Sequence, residues 1–279
     1  MTKKVAYLGP EGTFSYQATR SLLNHQPDFE AIPFDSMYRV LAAVEGGATD
    51  FAMVPIENLV EGMISEPLDF LVHSDSVNIV SELIEPIALD VIGLKGTLLG
   101  DVKEVVSHAN PVGQSRQFVR QYMPHSKEVL VQSTVAAIEM VANRNDIHVV
   151  AIGNSSVNER YGVVTLVENV GDVQNNKTRF VLLQKHSISD NDESEKISFV
   201  FSLNKDQPGG LYRILGLLQN LNLTKIESRP SKDVLGSYYF FIDVQGDYSN
   251  PNIRQTLQAV KANTETFKIL GAYKEIKSC

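Results

Sequence analysis

VAYLGPEGTFS, residues 5–15, is the stretch that decides the fold of this chain. It begins with four apolar residues typical of a strand, passes through a Gly-Pro turn, and shows helical spacing from Ser15 onward. The same succession of a short apolar strand and a helical pattern continues to about residue 185. Strands that alternate with helices are typical of α/β proteins, so we predict that class with parallel sheets.

A polar, acidic stretch then interrupts the pattern. Residues 186–195 read HSISDNDESE and show no apolar periodicity, which predicts a linker between two domains, 1–185 and 196–279. Beyond the linker the order changes to strand, helix, strand, strand, helix, strand. This order predicts a βαββαβ unit of the ferredoxin-like kind.

Composition narrows the classes of function. The 279 residues are 43% hydrophobic and 21% charged, with a net charge of −8, as in an acidic globular protein with little affinity for nucleic acid or an anionic membrane. The single cysteine, Cys279, predicts a reducing compartment, and no apolar run is long enough for a signal peptide or a membrane span. We therefore expect a soluble, cytoplasmic protein.

Two motifs in the first third of the chain are candidates for ligand binding. GPEGTFS, residues 9–15, joins a strand to a helix, where backbone N–H groups and the hydroxyls of Thr13 and Ser15 can bind an anion. PIEN, residues 55–58, places Glu57 and Asn58 at the carboxyl edge of the sheet, where open α/β sheets bind ligands. An ordinary capped turn and a solvated glutamate are the alternative interpretations.

Further polar residues stand at other strand ends. Thr178 precedes Arg179 in NKTRF, residues 176–180, and an arginine can grip a carboxylate through two parallel hydrogen bonds. Taken singly, Thr178 also fits an ordinary strand residue, and Arg179 a surface salt bridge. We predict neither metal nor cofactor, because the sequence has no metal-ligand cluster, Walker loop or nucleophile elbow. The remaining candidates at strand ends and helix starts are Ser107, His108, Gln114, Ser133 and Thr134.

The joint pattern resembles a known family. GPEGTFS, PIEN, SHxxxxxQ from Ser107 to Gln114, and NKTRF occur in the order found in prephenate dehydratases. GGLY at 209–212 and ESRP at 227–230 are similar to the two signatures of the ACT regulatory domain. The resemblance implies two lobes arranged like a type II periplasmic binding protein, with the active site between them. Lobe 1 is expected at about 1–77 and 162–185, and lobe 2 at about 78–161.

The resemblance also implies an activity. It is the conversion of prephenate to phenylpyruvate with loss of carbon dioxide and the ring hydroxyl. Thr178 is then the donor to that hydroxyl, Arg179 the carboxylate anchor, Phe180 a wall against the ring, and Glu57 a second candidate for proton delivery. The residues implied to bind substrate are Thr13, Ser15, Asn58, Ser107, His108, Gln114, Ser133 and Thr134.

Regulation and assembly follow from the same resemblance. Phenylalanine is expected to inhibit the enzyme by binding between paired ACT domains, and the chain is expected to form a homodimer or homotetramer. The residues implied to bind phenylalanine are Gly209, Gly210, Leu211, Tyr212, Glu227, Ser228, Arg229 and Pro230. Since GPEGTFS begins at residue 9, a monofunctional enzyme without a chorismate mutase segment is expected.

Two departures and two alternatives stay open. Leu59 replaces the Ser or Thr usual after PIEN, and Ala109-Asn110 replaces the usual Pro-Gln, so a hydroxyl is missing from the expected site wall. Arogenate, the amino-acid analogue of prephenate, fits the same motifs. A non-catalytic binding protein that senses an amino acid is the alternative from another class.

Overall fold

The computed structural model describes residues 2–25, 28–189, 193–203, 208–232 and 236–276. Residues 190–192 of the expected linker, and Cys279, lie outside these ranges. Within the described ranges, no helix is long and apolar enough to cross a membrane.

The strands are β1 Lys3–Leu8, β2 Phe29–Phe34, β3 Phe51–Asn58, β4 Gly62–Met63, β5 Val77–Pro86, β6 Asp90–Gly93, β7 Glu104–Ser107, β8 Lys127–Leu130, β9 Val149–Gly153, β10 Val164–Val167, β11 Lys177–Lys185, β12 Lys196–Ser202, β13 Asn222–Pro230, β14 Tyr238–Gln245 and β15 Thr266–Ile276. The α-helices are α1 Phe14–His25, α2 Met37–Gly46, α3 Ser65–His73, α4 Ala109–Gln114, α5 Arg116–Tyr122, α6 Thr134–Arg144, α7 Asn158–Tyr161, α8 Gly210–Leu217 and α9 Pro251–Ala262.

The larger of two mixed sheets has the strand order β13-β14-β12-β15-β5-β11-β3-β1-β2, with β4 beside β3. Strand β1 runs parallel to β2 and β3, as the strand-helix alternation predicts. Strand β11 is antiparallel to both of its neighbours, β3 and β5. The prediction of parallel sheets is therefore wrong here, because the chain returns from the second lobe and enters this sheet in the opposite direction.

The smaller sheet, β10-β6-β9-β7-β8, forms the second lobe. Its members show that the chain passes between the lobes at residues 87–89 and 168–176, later than the boundaries expected from sequence at about 77 and 162. Strand β5 belongs to the larger sheet and β10 to the smaller one. The apolar pattern of a strand identifies the strand but does not identify its partners, which is why the expected boundaries differ from the points at which the chain changes sheets.

The C-terminal unit has the predicted order β12-α8-β13-β14-α9-β15, which confirms the βαββαβ prediction. Its strands are arranged as β13-β14-β12-β15, all antiparallel. Helices α8 and α9 cover one face through a core that includes Phe199, Ile214 and Leu257. The opposite face contributes Val200 and Phe241 to the core of the first lobe.

Strand β15 joins the C-terminal unit to the first lobe by pairing in parallel with β5. The two backbones approach closely at Gly271, which lies opposite Ile79 next to a register shift. A Cβ atom at Gly271 would lie 2.4 Å from the carbonyl oxygen of Ile79 and 2.7 Å from its Cβ. The seam between the two units therefore requires glycine at this position.

We expect Gly271→Ala to lower the free energy of unfolding by about 1–3 kcal/mol, because the added methyl group meets backbone that has little room to move. Urea unfolding followed by circular dichroism measures the change. The matched control is Gly216→Ala in α8, where a Cβ meets nothing within 4 Å. Alanine is the better helix former, so the control should be neutral or stabilising by up to about 1 kcal/mol. Equal effects of the two substitutions would contradict the close approach.

Candidate active site

A cavity of about 640 Å³ lies between the two lobes and opens to solvent. Its walls come from the turn before α1, the carboxyl end of β3, the start of α4, the start of α6, and β11. Its size suits a small ring-containing ligand. The sequence-predicted residues that line it are Thr13, Ser15, Asn58, His108, Gln114, Ser133, Thr134, Thr178 and Phe180.

Strand β11 supplies the floor of the cavity. Thr178 and Phe180 line the cavity, since alternate residues of a strand point to the same face. Thr178 pairs with Asn58, Arg179 with Glu57, and Phe180 with Pro55, so a bulge in β3 skips one residue. This bulge turns both Pro55 and Asn58 toward the cavity although they are an odd number of residues apart.

Asn58 fixes the orientation of the Thr178 hydroxyl. The Asn58 Nδ2 group donates to Thr178 Oγ1 and to Asn176 Oδ1, both at 2.9 Å. Asn58 Oδ1 accepts from the backbone N–H groups of Val60 and Glu61 at 2.9 and 3.0 Å. The amide therefore cannot accept the Thr178 proton, and the hydroxyl is free to donate into the cavity.

A chain of side-chain hydrogen bonds connects this point to the second lobe. Asn176 Nδ2 donates to Gln114 Oε1 at 3.0 Å, and Gln114 Nε2 donates to Glu61 Oε1 at 2.9 Å. Since Gln114 ends α4 of the second lobe whereas Asn58 and Glu61 belong to the first, the chain spans the cleft. Asn176 and Glu61 were not predicted as site residues, although Asn176 is the first residue of the NKTRF motif.

The starts of α1 and α6 face the cavity from opposite lobes. Thr13 caps α1 by accepting from the N–H of Tyr16 at 3.2 Å, and Ser133 caps α6 by accepting from the N–H of Ala136 at 3.0 Å. Ser15 and Thr134 stand in the first turns and are buried. Two helix N-termini provide the partial positive charge and N–H donors that suit two carboxylates.

His108 lines the cavity at the start of α4. Its Nδ1 accepts from the N–H of Asn110 at 3.4 Å, so a neutral His108 carries its proton on Nε2. The histidine is therefore a candidate donor to a ligand.

The described walls of the cavity contain neither lysine nor arginine. Asp35 and Glu61 are the charged residues among them, and both carry negative charge. Across the described part of the chain, no cluster of three or more His, Cys, Asp or Glu side chains is arranged to hold a metal ion. The cavity therefore offers an anion N–H groups, hydroxyls, amides and the imidazole of His108 rather than a lysine or an arginine.

Arg179 lies on the other face of β11 and is buried. Its Nε donates to Glu82 Oε2 at 2.7 Å, its Nη1 to Asp243 Oδ2 at 2.5 Å, and its Nη2 to the Tyr273 hydroxyl at 2.6 Å. Burial opposes the charged form, but Tyr273, Asp243 and Glu82 outweigh it, so the pKa of Arg179 lies above its ordinary value. The expectation that Arg179 anchors a carboxylate of the ligand is therefore corrected, because strand alternation directs its guanidinium away from the cavity.

Two other expected site residues, Glu57 and Ser107, are also absent from the cavity wall. Glu57 shares the face of Arg179, and its Oε2 lies 2.6 Å from Lys225 Nζ. Ser107 is fully buried and donates to the carbonyl oxygen of Ile152 at 2.5 Å, which ties β7 to β9. The Leu59 side chain is 65% exposed. A hydroxyl at position 59 would therefore not be part of the wall in this structure.

The two C-terminal motifs lie at the same end of the βαββαβ sheet. Pro230 pairs with Tyr238 and Ser202 pairs with Tyr239, while Gly209 takes a left-handed conformation as the cap of α8. Arg229 points toward the first lobe and binds the carbonyl oxygen of Ser65 at 3.0 Å. Tyr212 is 81% exposed. The remaining expected residues of this group are Gly210 and Leu211 at the start of α8, and Glu227 and Ser228 on β13.

This fold and this cleft define a two-lobed α/β protein whose cavity between the lobes suits a small anionic molecule. The sequence profile of the family described as prephenate dehydratase matches residues 5–188. The chain belongs to the prephenate dehydratase family, and it is an enzyme, a dehydratase of the lyase class.

Individual relatives support this assignment. The prephenate dehydratase of Methanocaldococcus jannaschii is 35% identical over 278 residues, which cover 98% of each chain. A crystal structure of prephenate dehydratase from Arthrobacter aurescens in complex with L-Phe is 29% identical, with a TM-score of 0.86 over 97% of this chain and 90% of that one. A structure described as GqqA, a novel type of quorum quenching acylase, is 26% identical, with a TM-score of 0.83 over 98% of both chains.

We expect Gln114→Leu to lower the free energy of unfolding by about 1–3 kcal/mol, because Asn176 and Glu61 each lose a hydrogen-bond partner across the cleft. Chemical unfolding monitored by tyrosine fluorescence measures the loss. Gln132→Leu is the control, since Gln132 lines the same cavity but is exposed and does not join the chain. If both variants are equally stable, the hydrogen-bond chain does not hold the lobes together.

Proposed function

We propose that this enzyme converts prephenate to phenylpyruvate, carbon dioxide and water, with Thr178 as the donor to the departing hydroxyl. The observation that carries the proposal is the hydrogen bond from Asn58 to Thr178 Oγ1 at 2.9 Å. This bond uses the oxygen of Thr178 as an acceptor and leaves its proton for the substrate. The family assignment and the names of the relatives support the choice of substrate.

The charge of the substrate fits the cavity. Prephenate carries two carboxylates, and the starts of α1 and α6 offer N–H donors to one carboxylate each. As the ring hydroxyl leaves with a proton, the carboxylate on the ring carbon becomes neutral carbon dioxide and its bonding electrons complete the aromatic ring. A wall without a lysine or arginine does not resist this loss of charge, since no ion pair has to be broken.

The structural neighbour described as an acylase suggests an alternative reaction, in which Thr178 would act as a nucleophile. A threonine nucleophile needs an adjacent base that takes its proton. Thr178 Oγ1 instead accepts a hydrogen bond from Asn58, and within the described part of the chain its hydroxyl donates to no histidine or carboxylate. The geometry therefore favours a donor over a nucleophile. Arogenate stays an alternative substrate, because its amino group replaces a keto oxygen away from the leaving groups.

We also propose that the C-terminal unit is an ACT domain through which phenylalanine inhibits the enzyme. The L-Phe complex of the Arthrobacter aurescens relative supports this proposal. A physical connection to the site is present, because Lys225 lies on β13, the strand that ends in ESRP, and pairs with Glu57 beside Asn58. The cytoplasmic location and the homodimer or homotetramer expected from the sequence stay predictions.

Thr178→Val should lower turnover of prephenate at least ~10²-fold, because the isosteric side chain keeps the packing and removes the donor. Thr178→Ser should retain most of the turnover, because it keeps the hydroxyl next to Asn58. Formation of phenylpyruvate from prephenate, and of phenylalanine from arogenate, is followed by absorbance and chromatography. Wild-type protein that is inactive on both substrates would rule out the proposed function. An active Thr178→Val variant would rule out only the role of Thr178.

Lys225→Met should reduce inhibition by phenylalanine at least ~5-fold while phenylalanine still binds, because the ion pair that joins β13 to Glu57 is lost and couplings are typically about 1–3 kcal/mol. Calorimetry measures binding, and steady-state assays with added phenylalanine measure inhibition. The control is Lys232→Met, which removes an ion pair to Asp69 from a lysine whose side chain is 67% exposed. Unchanged inhibition in Lys225→Met would exclude this connection.

A further inference from the structure

Glu85 on β5 is a buried carboxyl group that the proposed reaction has not used. The residue is 3% exposed, and its Oε1 atom has no hydrogen-bond partner among the residues that the structure describes. Buried polar groups in folded proteins are nearly always hydrogen-bonded, so each exception needs an explanation, and a catalytic role is one of them. The unpartnered oxygen therefore marks Glu85 as a group with a function to be found.

The register of the sheet places Glu85 beside the reaction. Glu85 is directly opposite Thr178 in the antiparallel pair of β5 and β11. Side chains at opposite positions share a face and have Cβ atoms about 4.5–5.5 Å apart, which is within the reach of a glutamate. Ile87, two residues further along the same face, lines the cavity as Thr178 does. Glu85 thus shares the face of the sheet on which Thr178 lines the cavity, although Glu85 itself is not part of the cavity wall.

The hydrogen-bonding capacity of the Thr178 hydroxyl leaves room for this neighbour. A threonine oxygen has two lone pairs and one proton. Asn58 occupies one lone pair, and the proton faces the cavity. The second lone pair is free to accept a proton from Glu85, which would also give the unpartnered oxygen of Glu85 a partner.

Neighbouring carboxyl groups are occupied elsewhere. Glu57 lies on the opposite face of the sheet, where Lys225 and Arg179 bind it. Glu82 on that same face is bound by Arg179 and Lys196. The sequence-based choice of Glu57 for proton delivery is therefore replaced by a residue that the motifs did not include.

We propose that Glu85 is the source of the proton that Thr178 passes to the substrate, an inference that rests on the proposed dehydratase function. In one concerted step the C–O bond of the ring hydroxyl breaks, and its oxygen takes the proton of Thr178 and leaves as water. Thr178 takes the proton of Glu85, which becomes a carboxylate. The bond between the ring and its carboxylate breaks, its electron pair completes the aromatic ring, and carbon dioxide departs. Glu85 regains a proton from solvent before the next turnover.

The relay solves a chemical problem that a hydroxyl alone does not. A threonine hydroxyl is a very weak acid, so a transfer that ended with a threonine alkoxide would be strongly uphill. With Glu85 behind it, Thr178 gives and receives a proton at once and stays neutral. General acid catalysis of this kind contributes about 10² to 10⁴ in rate.

The test compares Glu85→Gln with wild type on prephenate. Glutamine has the size of glutamate and can still hydrogen-bond Thr178, but it has no acidic proton to pass on. We expect turnover to fall at least ~10-fold with the KM changed less than ~3-fold. A smaller loss of turnover would overturn the proposal, because it would show that Glu85 only positions Thr178.

A second measurement uses the unmodified enzyme and does not depend on how a variant folds. Turnover rates in mixtures of H₂O and D₂O should curve downward for the wild type, because two protons move in one step. A straight line, which indicates one moving proton, would overturn the concerted relay. Residual turnover of Glu85→Gln should give a straight line.

Asp90→Asn is the matched control. Asp90 is also a buried carboxyl group in a strand near the cavity, but it does not line the cavity and accepts a hydrogen bond from the N–H of Asn169 at 2.9 Å. The turnover of the Asp90→Asn variant should stay within ~3-fold of that of the wild type. A control loss equal to that of Glu85→Gln would overturn the proposal, since any buried carboxyl would then matter equally. Wild-type protein inactive on prephenate and on arogenate is a failure of the proposed function and is seen before any variant is made.

Discussion

A buried positive charge on β11 is the constraint on which the arrangement of the two units depends. Arg179 is only 8% exposed and therefore needs acidic partners, which it finds in Glu82 of the first lobe and Asp243 of the C-terminal unit. Removing one partner from a buried ion pair typically costs about 3–5 kcal/mol. Lys196 on β12 also binds Glu82, so the pairing of the two units is fixed by charge as well as by the β15–β5 seam.

The same strand builds the catalytic cleft with its other face. Because side chains alternate along β11, the arginine that holds the C-terminal unit stands between Thr178 and Phe180, which line the cavity. Any shift of the C-terminal unit that moves Asp243 acts on the backbone of the residue next to the proposed donor. This arrangement would give the proposed regulation a short physical route, and it explains why an arginine adjacent to Thr178 does not line the cavity.

The chemistry of the cleft depends on the number of hydrogen bonds that each group can make. Both N–H donors and the Oδ1 acceptor of Asn58 are hydrogen-bonded to fixed partners. Asn58 therefore holds the oxygen of Thr178 without accepting its proton. Negative charge in the proposed substrate would meet helix starts and hydroxyls instead of lysine or arginine. Weak, directional donors suit a reaction in which one carboxylate must lose its charge.

The sequence by itself determined the elements and most of the site. The strand-helix alternation, the βαββαβ order and the ligand-facing motifs are local patterns, and the structure brings Thr13, Asn58, His108 and Thr178 to one cavity. Only the tertiary structure decided which strands are neighbours, and with them the lobe boundaries and the direction of β11. It also decided that Arg179 faces the C-terminal unit and that Glu85 stands opposite Thr178. These facts depend on pairing between strands distant in sequence, and a one-residue change of register moves every side chain to the other face.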